Sequence, residues 1–142
     1  MKIKQLSVFV ENRRGKITEV TEILASKGID MRALSIVDAN EFGVLRMIVS
    51  NPDAAFALLR EAGIMARLSE VVAIGILDKP GEFAKALRII ANAGVNLEYL
   101  YALASRKNED AVIIMRFDQP GDGISALREN GFRIYSHEDI FN

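Results

Sequence analysis

The feature that most constrains this chain is that it repeats itself. Displaced by 66 residues, Gly15 falls on Gly81, Ile17 on Phe83, Val20 on Ala86, Ile23 on Ile89, Leu24 on Ile90, Gly28 on Gly94, Ile29 on Val95 and Leu34 on Leu100. Beyond Asp110 the displacement becomes 68, because "SRKNED" is longer than the equivalent turn. Met47 then meets Met115, Pro52 meets Pro120, Leu59-Arg60-Glu61 meets Leu127-Arg128-Glu129, and Gly63 meets Gly131. Self-similarity at a fixed spacing marks a copied structural unit. The shared positions are glycines, prolines and apolar residues, which report fold and not chemistry. A chain of 142 residues, half of them hydrophobic, buries one modest core or two small ones. Two domains are therefore expected, residues 1–69 and 70–142.

Each copy reads as strand, helix, strand, strand, helix, strand. Leu6, Val8 and Val10 alternate as a strand does; Ile17, Val20, Ile23 and Leu24 then recur at helical spacing until Gly28, suited to a left-handed cap. Met31 to Asp38 and Gly43 to Ser50 read as strands joined by "ANEF", a hairpin. Pro52 opens a second helix over Asp53 to Ala62, Gly63 closes it, and a last strand runs from Ile64 to about Ser69. The second copy predicts Val71 to Leu77, a helix over Glu82 to Ala93, strands over Leu97 to Ser105 and Ala111 to Phe117, a helix near Gly123 to Asn130, and a strand over Phe132 to Tyr135. This is the α+β, ferredoxin-like split β-α-β order, βαββαβ, with antiparallel sheets and both helices on one face.

Such a layout leaves one sheet face open, yet the strands are apolar on both sides. Leu97, Tyr99, Tyr101 and Leu103 oppose Leu100, Ala102 and Ala104, while Ile113, Met115 and Phe117 oppose Val112 and Ile114. The open face is expected to be covered, by the other copy or by a second chain, since each such side chain contributes about 1.5–3 kcal/mol when buried. A homodimer is one outcome of that expectation.

Charge and composition exclude several classes. Eighteen Lys and Arg against nineteen Asp and Glu give a net charge of −1, which supplies no field for nucleic acid or anionic lipid. No nucleic-acid or membrane partner is expected. Without cysteine there is neither a disulfide framework nor a thiolate nucleophile, which fits a reducing cytoplasm. The N-terminus lacks the apolar run of a signal peptide, and Val71 to Leu77 is far short of a membrane span.

The chemistry concentrates where strand one enters helix one, in "ENRRGKI" and "LDKPGEF". Each joins the backbone N–H groups of a glycine turn to the positive end of a helix, an arrangement that binds carboxylate or phosphate. Beside each stands a short polar side chain, Asn12 or Asp78, and a second such pair, Asp30 and Asn96, follows the glycine that ends each helix. An α-amino acid needs donors for its carboxylate and acceptors for its ammonium, and these turns supply both. Asn and Asp also serve as ordinary caps and turn formers, so spacing alone leaves both readings open.

"ENRRGKITEVTEILASKGIDM" and "DKPGEFAKALRIIANAGVNLEYL" resemble the start of ACT domains, small-molecule sensing modules of amino-acid biosynthetic enzymes such as aspartokinase and phosphoglycerate dehydrogenase. The resemblance covers essentially the whole chain as two copies. The second carries the family's Asp-x-Pro-Gly turn as "DKPG"; the first has Arg14 where proline is usual, although "ENR" resembles the "ENRPG" turn of serine-sensing ACT domains. The resemblance implies ligand contacts at Asn12, Asp30, Asp78 and Asn96. Around them the candidate ligand-binding set comprises Arg13, Arg14, Gly15, Lys16 and Ile17 in the first turn, Pro80, Gly81, Glu82 and Phe83 in the second, and Met31 and Leu97 at the strand starts. In the family a ligand commonly bridges the turn of one unit and strand two of another. That implies a neutral Asn12 with Asn96 site, and an Asp78 with Asp30 site whose two charges are costly unless a cation, or Lys79 and Arg14, offsets them.

Elsewhere the signals are weaker. His137, the only histidine, reads as part of a surface tail sooner than a metal ligand, and no metal site is expected. Tyr99 and Tyr101 read as packing for the open face sooner than as stacking platforms. RNA-binding RRM domains share the topology, but "GVLRMIVS" and "DAVIIMRF" lack their aromatic and basic residues. No nucleophile and base pair supports a hydrolase of acylphosphatase type. The reading is an amino-acid-binding, allosteric regulatory protein without catalytic residues or cofactor, acting on a partner such as a biosynthetic enzyme or on its own oligomer. Its competitor is a ligand-independent interaction subunit.

Overall fold

The computed structural model describes all residues except Asn40, Ser105, Arg106, Asn108 and Glu109, and omits the side chain of Ala39. The expected end of a strand at Ser105 and most of the "SRKNED" insertion thus lie outside the described residues. The chain divides into two compact units, one of Lys4–Ser69 and one of Glu70–Asn142 together with Met1–Ile3. We call them the N- and C-terminal units.

The N-terminal unit contains β1 (Ile3–Glu11, from Lys4 onward), α1 (Lys16–Ser26), β2 (Met31–Ala39), β3 (Phe42–Val49), α2 (Pro52–Glu61) and the beginning of β4 (Ala66–Leu77). The C-terminal unit holds the remainder of β4, then α3 (Glu82–Asn92), β5 (Leu97–Ala102), β6 (Asp110–Phe117), α4 (Pro120–Glu129), β7 (Arg133–Tyr135) and α5 (His137–Phe141). Strand order is β2-β3-β1-β4 in the first and β5-β6-β4-β7 in the second. Both are the ferredoxin-like order, with antiparallel registers that place Leu6 opposite Met47, Val8 opposite Leu45, Val72 opposite Met115 and Ile74 opposite Ile113.

The alternation decides which face meets the helices. Leu6, Val8 and Val10 pack with Leu45, Met47 and Val49 against Val20 and Leu24 of α1 and Ala55 and Leu59 of α2. Val72, Ile74, Ile76, Met115 and Phe117 do the same against Ala86 and Ile90 of α3 and Ile124 and Leu127 of α4. Much of the opposite face is buried too, polar Gln5 and Ser7 with Ala33 and Ile48 in one unit, and Ala73, Tyr101, Leu103, Val112 and Ile114 in the other. Tyr101 therefore acts as packing. The helix-side edge of each outermost strand is open, where Leu34 (54% exposed) and Ile36 (50%) on β2 and Leu100 (38%) on β5 face solvent.

The glycine pairs of the repeat are the backbone of the fold. Gly15 and Gly81, Gly28 and Gly94, and Gly63 and Gly131 all have positive φ, between 68° and 92°, a region that side chains with a Cβ occupy only at a cost. The repeat thus kept glycine where the chain turns left-handed.

Three expectations need correction. Ile64–Ser69 and Val71–Leu77 are not two strands: Ala66–Leu77 is one, twelve residues long. "LSEVVA" contains no Gly, Pro, Asn or Asp to break it. The helix expected near Gly123 begins earlier, at Pro120, the first-turn position proline favours. The C-terminal residues are not a plain surface tail. Ser136 and Asp139 form a reciprocal capping box that starts α5, and Ile140 is fully buried, while His137 lies against Phe141 with ring centroids 4.9 Å apart.

Candidate ligand-binding site

The two strand-to-helix turns are congruent to the hydrogen bond. In the first, Arg13 N–H donates to the Glu11 carbonyl (2.8 Å), Lys16 N–H to Arg13 (3.3 Å) and Glu19 N–H to Gly15 (2.9 Å). In the second, Lys79 donates to Leu77 (2.8 Å), Glu82 to Lys79 (3.3 Å) and Lys85 to Gly81 (2.9 Å). Arg14 in place of Pro80 leaves the turn unchanged. Its consequence is chemical, since Arg14 keeps a backbone N–H that proline lacks.

The helix starts are open. Gly15 and Gly81 hold the N-cap positions of α1 and α3 and offer no side-chain cap, so beyond Lys16 and Glu82, which donate within the turns, the next N–H groups of each first turn have no capping side chain. By contrast α2 is capped by Asn51, whose side-chain oxygen accepts from Ala54 N–H at 3.2 Å; α4 also lacks a side-chain cap. In the N-terminal unit a concavity of about 210 Å³ lies against the turn, lined by Asn12, Arg13 and Ile17 together with Glu11, Ile36 and Asp38. It combines an amide and a cation, two acids and an apolar wall.

The structure places the remaining candidates as follows. Arg13 is ion-paired with Glu11, Nε to Oε2 2.8 Å, at the exposed mouth of the turn; Arg14 and Gly15 are exposed. Lys16 points to the other side of α1, 3.5 Å from Glu19. Asp78, Lys79, Pro80 and Gly81 are exposed, and Glu82 and Phe83 half-buried. Asp30 and Met31, with Asn96 and Leu97, stand at the opposite end of each sheet. Met31 pairs with Val49 and Leu97 with Phe117, whereas the strands that lead to the turns end beside Phe42 and Asp110. No single unit unites a turn with a strand start.

The strand starts are congruent as well. Ser50 N–H donates to the Asp30 carbonyl (2.9 Å) and Asp118 N–H to that of Asn96 (3.1 Å), while the Ser50 hydroxyl and Asp118 carboxylate accept from the Asp30 and Asn96 N–H groups at 2.9 and 2.8 Å. The Asp30 carboxylate accepts from Met31 N–H and lies 3.2 Å from Arg32. Its charge is therefore offset within its own unit by Arg32.

Two ferredoxin-like units, each with a glycine turn feeding an uncapped helix, form a tandem pair. Residues 1–140 match the family described as an ACT domain pair, and the chain belongs to it. It is similar to protein BT0572 from Bacteroides thetaiotaomicron, with 37% identity, a TM-score of 0.93, and coverage of 100% of this chain and 97% of that one. It shares its fold with the ligand-free regulatory subunit of aspartate kinase from Thermus thermophilus, at 18% identity, a TM-score of 0.65, and coverage of 90% and 92%. The regulatory subunit of aspartate kinase from Thermus flavus is similar at 16% identity, a TM-score of 0.60, and coverage of 91% and 94%. No curated protein matches the chain. Among the described residues no helix is long and apolar enough to cross a membrane.

Proposed function

We propose that this ACT pair is a non-catalytic cytoplasmic regulator that binds a free amino acid at its β1–α1 turns and thereby modulates a partner protein or its own oligomer. The observation that carries the reading is the pair of congruent, uncapped glycine turns. A carboxylate is suited to the orphan N–H groups at the helix start, where the helix carries roughly half a positive charge. The ammonium is suited to the Asn12 amide oxygen and Asp38, and a side chain to Ile17 and Ile36. The N-terminal turn is the stronger receptor, because Arg14 contributes an N–H where Pro80 has none. The kinship with aspartate kinase regulatory subunits supports a biosynthetic-enzyme partner.

The test is a thermal-shift screen of the whole chain against each proteinogenic amino acid. A ligand present at about 100 times its Kd stabilises by roughly 2.7 kcal/mol, so a true ligand raises the melting temperature by several degrees. A second reading, an interaction subunit without ligand, is favoured by the exposed apolar edges at Leu34, Ile36 and Leu100. It takes over if no amino acid moves the transition, and the same edges are the natural seam of a homodimer.

A further inference from the structure

Each unit has a second concavity, between its first helix and the loop that leads from its second helix to its last strand. In the N-terminal unit it measures about 600 Å³ and is walled by Phe9, Phe42, Ile64 and Met65. In the C-terminal unit it measures about 370 Å³ and is lined by Glu82, Lys85, Asp110, Phe132 and Arg133 over Gly75. The two occupy the same place in the repeat: Phe9 corresponds to Gly75, Phe42 to Asp110, Met65 to Arg133 and Arg67 to Tyr135. Fold-determining positions survived the duplication as glycines and apolar residues. Here four neighbouring positions changed character together: Phe42 and Met65 gave way to the charged Asp110 and Arg133, Phe9 to Gly75, and Arg67 to Tyr135.

The new residues fit one another. Asp110 is 8% exposed and its Oδ2 accepts the Tyr135 hydroxyl at 2.8 Å, with an Arg133 terminal nitrogen at 3.9 Å from the same oxygen and 3.4 Å from the Tyr135 oxygen. Gly75 makes room for it, since a Cβ there would collide with the Asp110 carboxylate and lie 2.8 Å from the Tyr135 ring. Lys85 reaches over the Phe132 ring, its nitrogen 5.8 Å from the centroid. Hydrogen bonding to Tyr135, with Asp110 nearby, holds the Arg133 guanidinium above its ordinary range and fully charged. The cavity thus offers two carboxylates and two cations, a balance that rejects simple anions and cations and matches a zwitterion.

We propose that this C-terminal cavity is a second binding site for a small zwitterion of the α-amino-acid class, with Asp110 and Glu82 receiving the ammonium and Arg133 and Lys85 the carboxylate. The inference rests on the amino-acid-binding reading of the chain but uses a site that shares only Glu82 with the turns. Occupancy here ties β6, α3 and β7 together, so it reports ligand to the C-terminal unit alone.

The test is a titration of the isotopically labelled chain with each proteinogenic L-amino acid, followed by amide chemical shifts. The proposal expects the Gly75, Asp110 and Arg133 amides to move saturably for at least one amino acid. It also expects Arg133→Met, which copies the N-terminal unit, to weaken that phase roughly ten- to hundredfold and leave the shifts at residues 12–17 intact. If Arg133→Met does not fold, Lys85→Gln on the exposed face of α3 serves the same purpose. Shifts confined to residues 12–17 and 78–81 would overturn this site and leave the turns standing; no shift anywhere would overturn both; equal affinity in the variants would show that the cavity charges are structural, overturning the proposal.

Discussion

Replacing Gly75 by alanine tests the description of the C-terminal unit where it is tightest. Gly75 sits mid-strand in β4, paired with Val112 and Arg133. An added Cβ would overlap the Asp110 carboxylate, with its Cγ at 2.8 Å and the Tyr135 Cε2 also at 2.8 Å. Neither can retreat freely, because Tyr135 is 4% exposed and its hydroxyl holds the carboxylate. Overpacking of this kind costs about 1–3 kcal/mol, and loss of a hydrogen bond to a charged group adds about 1.5–3 kcal/mol. The better strand entropy of alanine returns about 0.5–1 kcal/mol. The net expectation is a destabilisation of about 1.5–5.5 kcal/mol. Gly121→Ala is the matched control: no atom lies within 4 Å of its Cβ, and in the first turn of α4 alanine stabilises by at most about 1 kcal/mol. All three tyrosines, Tyr99, Tyr101 and Tyr135, belong to the C-terminal unit and the chain has no tryptophan, so tyrosine fluorescence during urea unfolding reads that unit selectively. A Gly75→Ala chain as stable as the parent would refute the packing argument.

Other consequences are simpler. Ile140→Ala empties a fully buried position under α5 and should cost about 2–5 kcal/mol in the same unfolding assay. Gly15→Ala meets no atom within 4 Å but must adopt φ +83°, so it should cost about 1–2 kcal/mol through the backbone alone, checked by chemical denaturation of the N-terminal unit. Asp139 accepts from the Ser136 N–H and hydroxyl, which hold its carboxyl below its ordinary value. A depressed native pKa means the capping contribution is complete above the ordinary carboxylate range and lost as pH falls through the native value. Hydrogen exchange of the Ile140 amide should therefore accelerate, relative to the intrinsic rate, on acidification below that range, and Asp139→Asn, which removes the titrating carboxyl, should abolish the pH dependence.

Much of this fold was legible because its determinants are local. Gly28 and Gly94 announce left-handed exits, Pro52 and Pro120 announce helix starts, and Leu6, Val8 and Val10 announce a buried strand face. The repeat then doubled every signal. What escaped was non-local or cooperative. Nothing in "LSEVVA" states that two short strands are one, except the absence of a breaker. The capping box at Ser136 and Asp139 was readable as Ser-x-x-Asp, yet its helix is anchored by Ile140, whose burial no local pattern reports. The Asp110, Arg133 and Tyr135 cluster joins residues 23 and 25 positions apart across β6 and β7, and Gly75, which admits it, reads in sequence as a weak spot in an apolar strand. The turns were legible as geometry, while the pairing of Arg13 with Glu11 and of Asp30 with Arg32 depends on rotamers that composition does not fix.

The central claim is that the first turn receives an amino acid. Calorimetric titration of the intact chain and of Asn12→Ala, with whichever amino acid raises the melting temperature, tests it most directly. Asn12 is exposed beside the open helix start, so its loss should leave the fold unchanged and weaken binding by roughly ten- to hundredfold, the worth of hydrogen bonds to a charged ligand. Binding of full strength to Asn12→Ala would contradict the account.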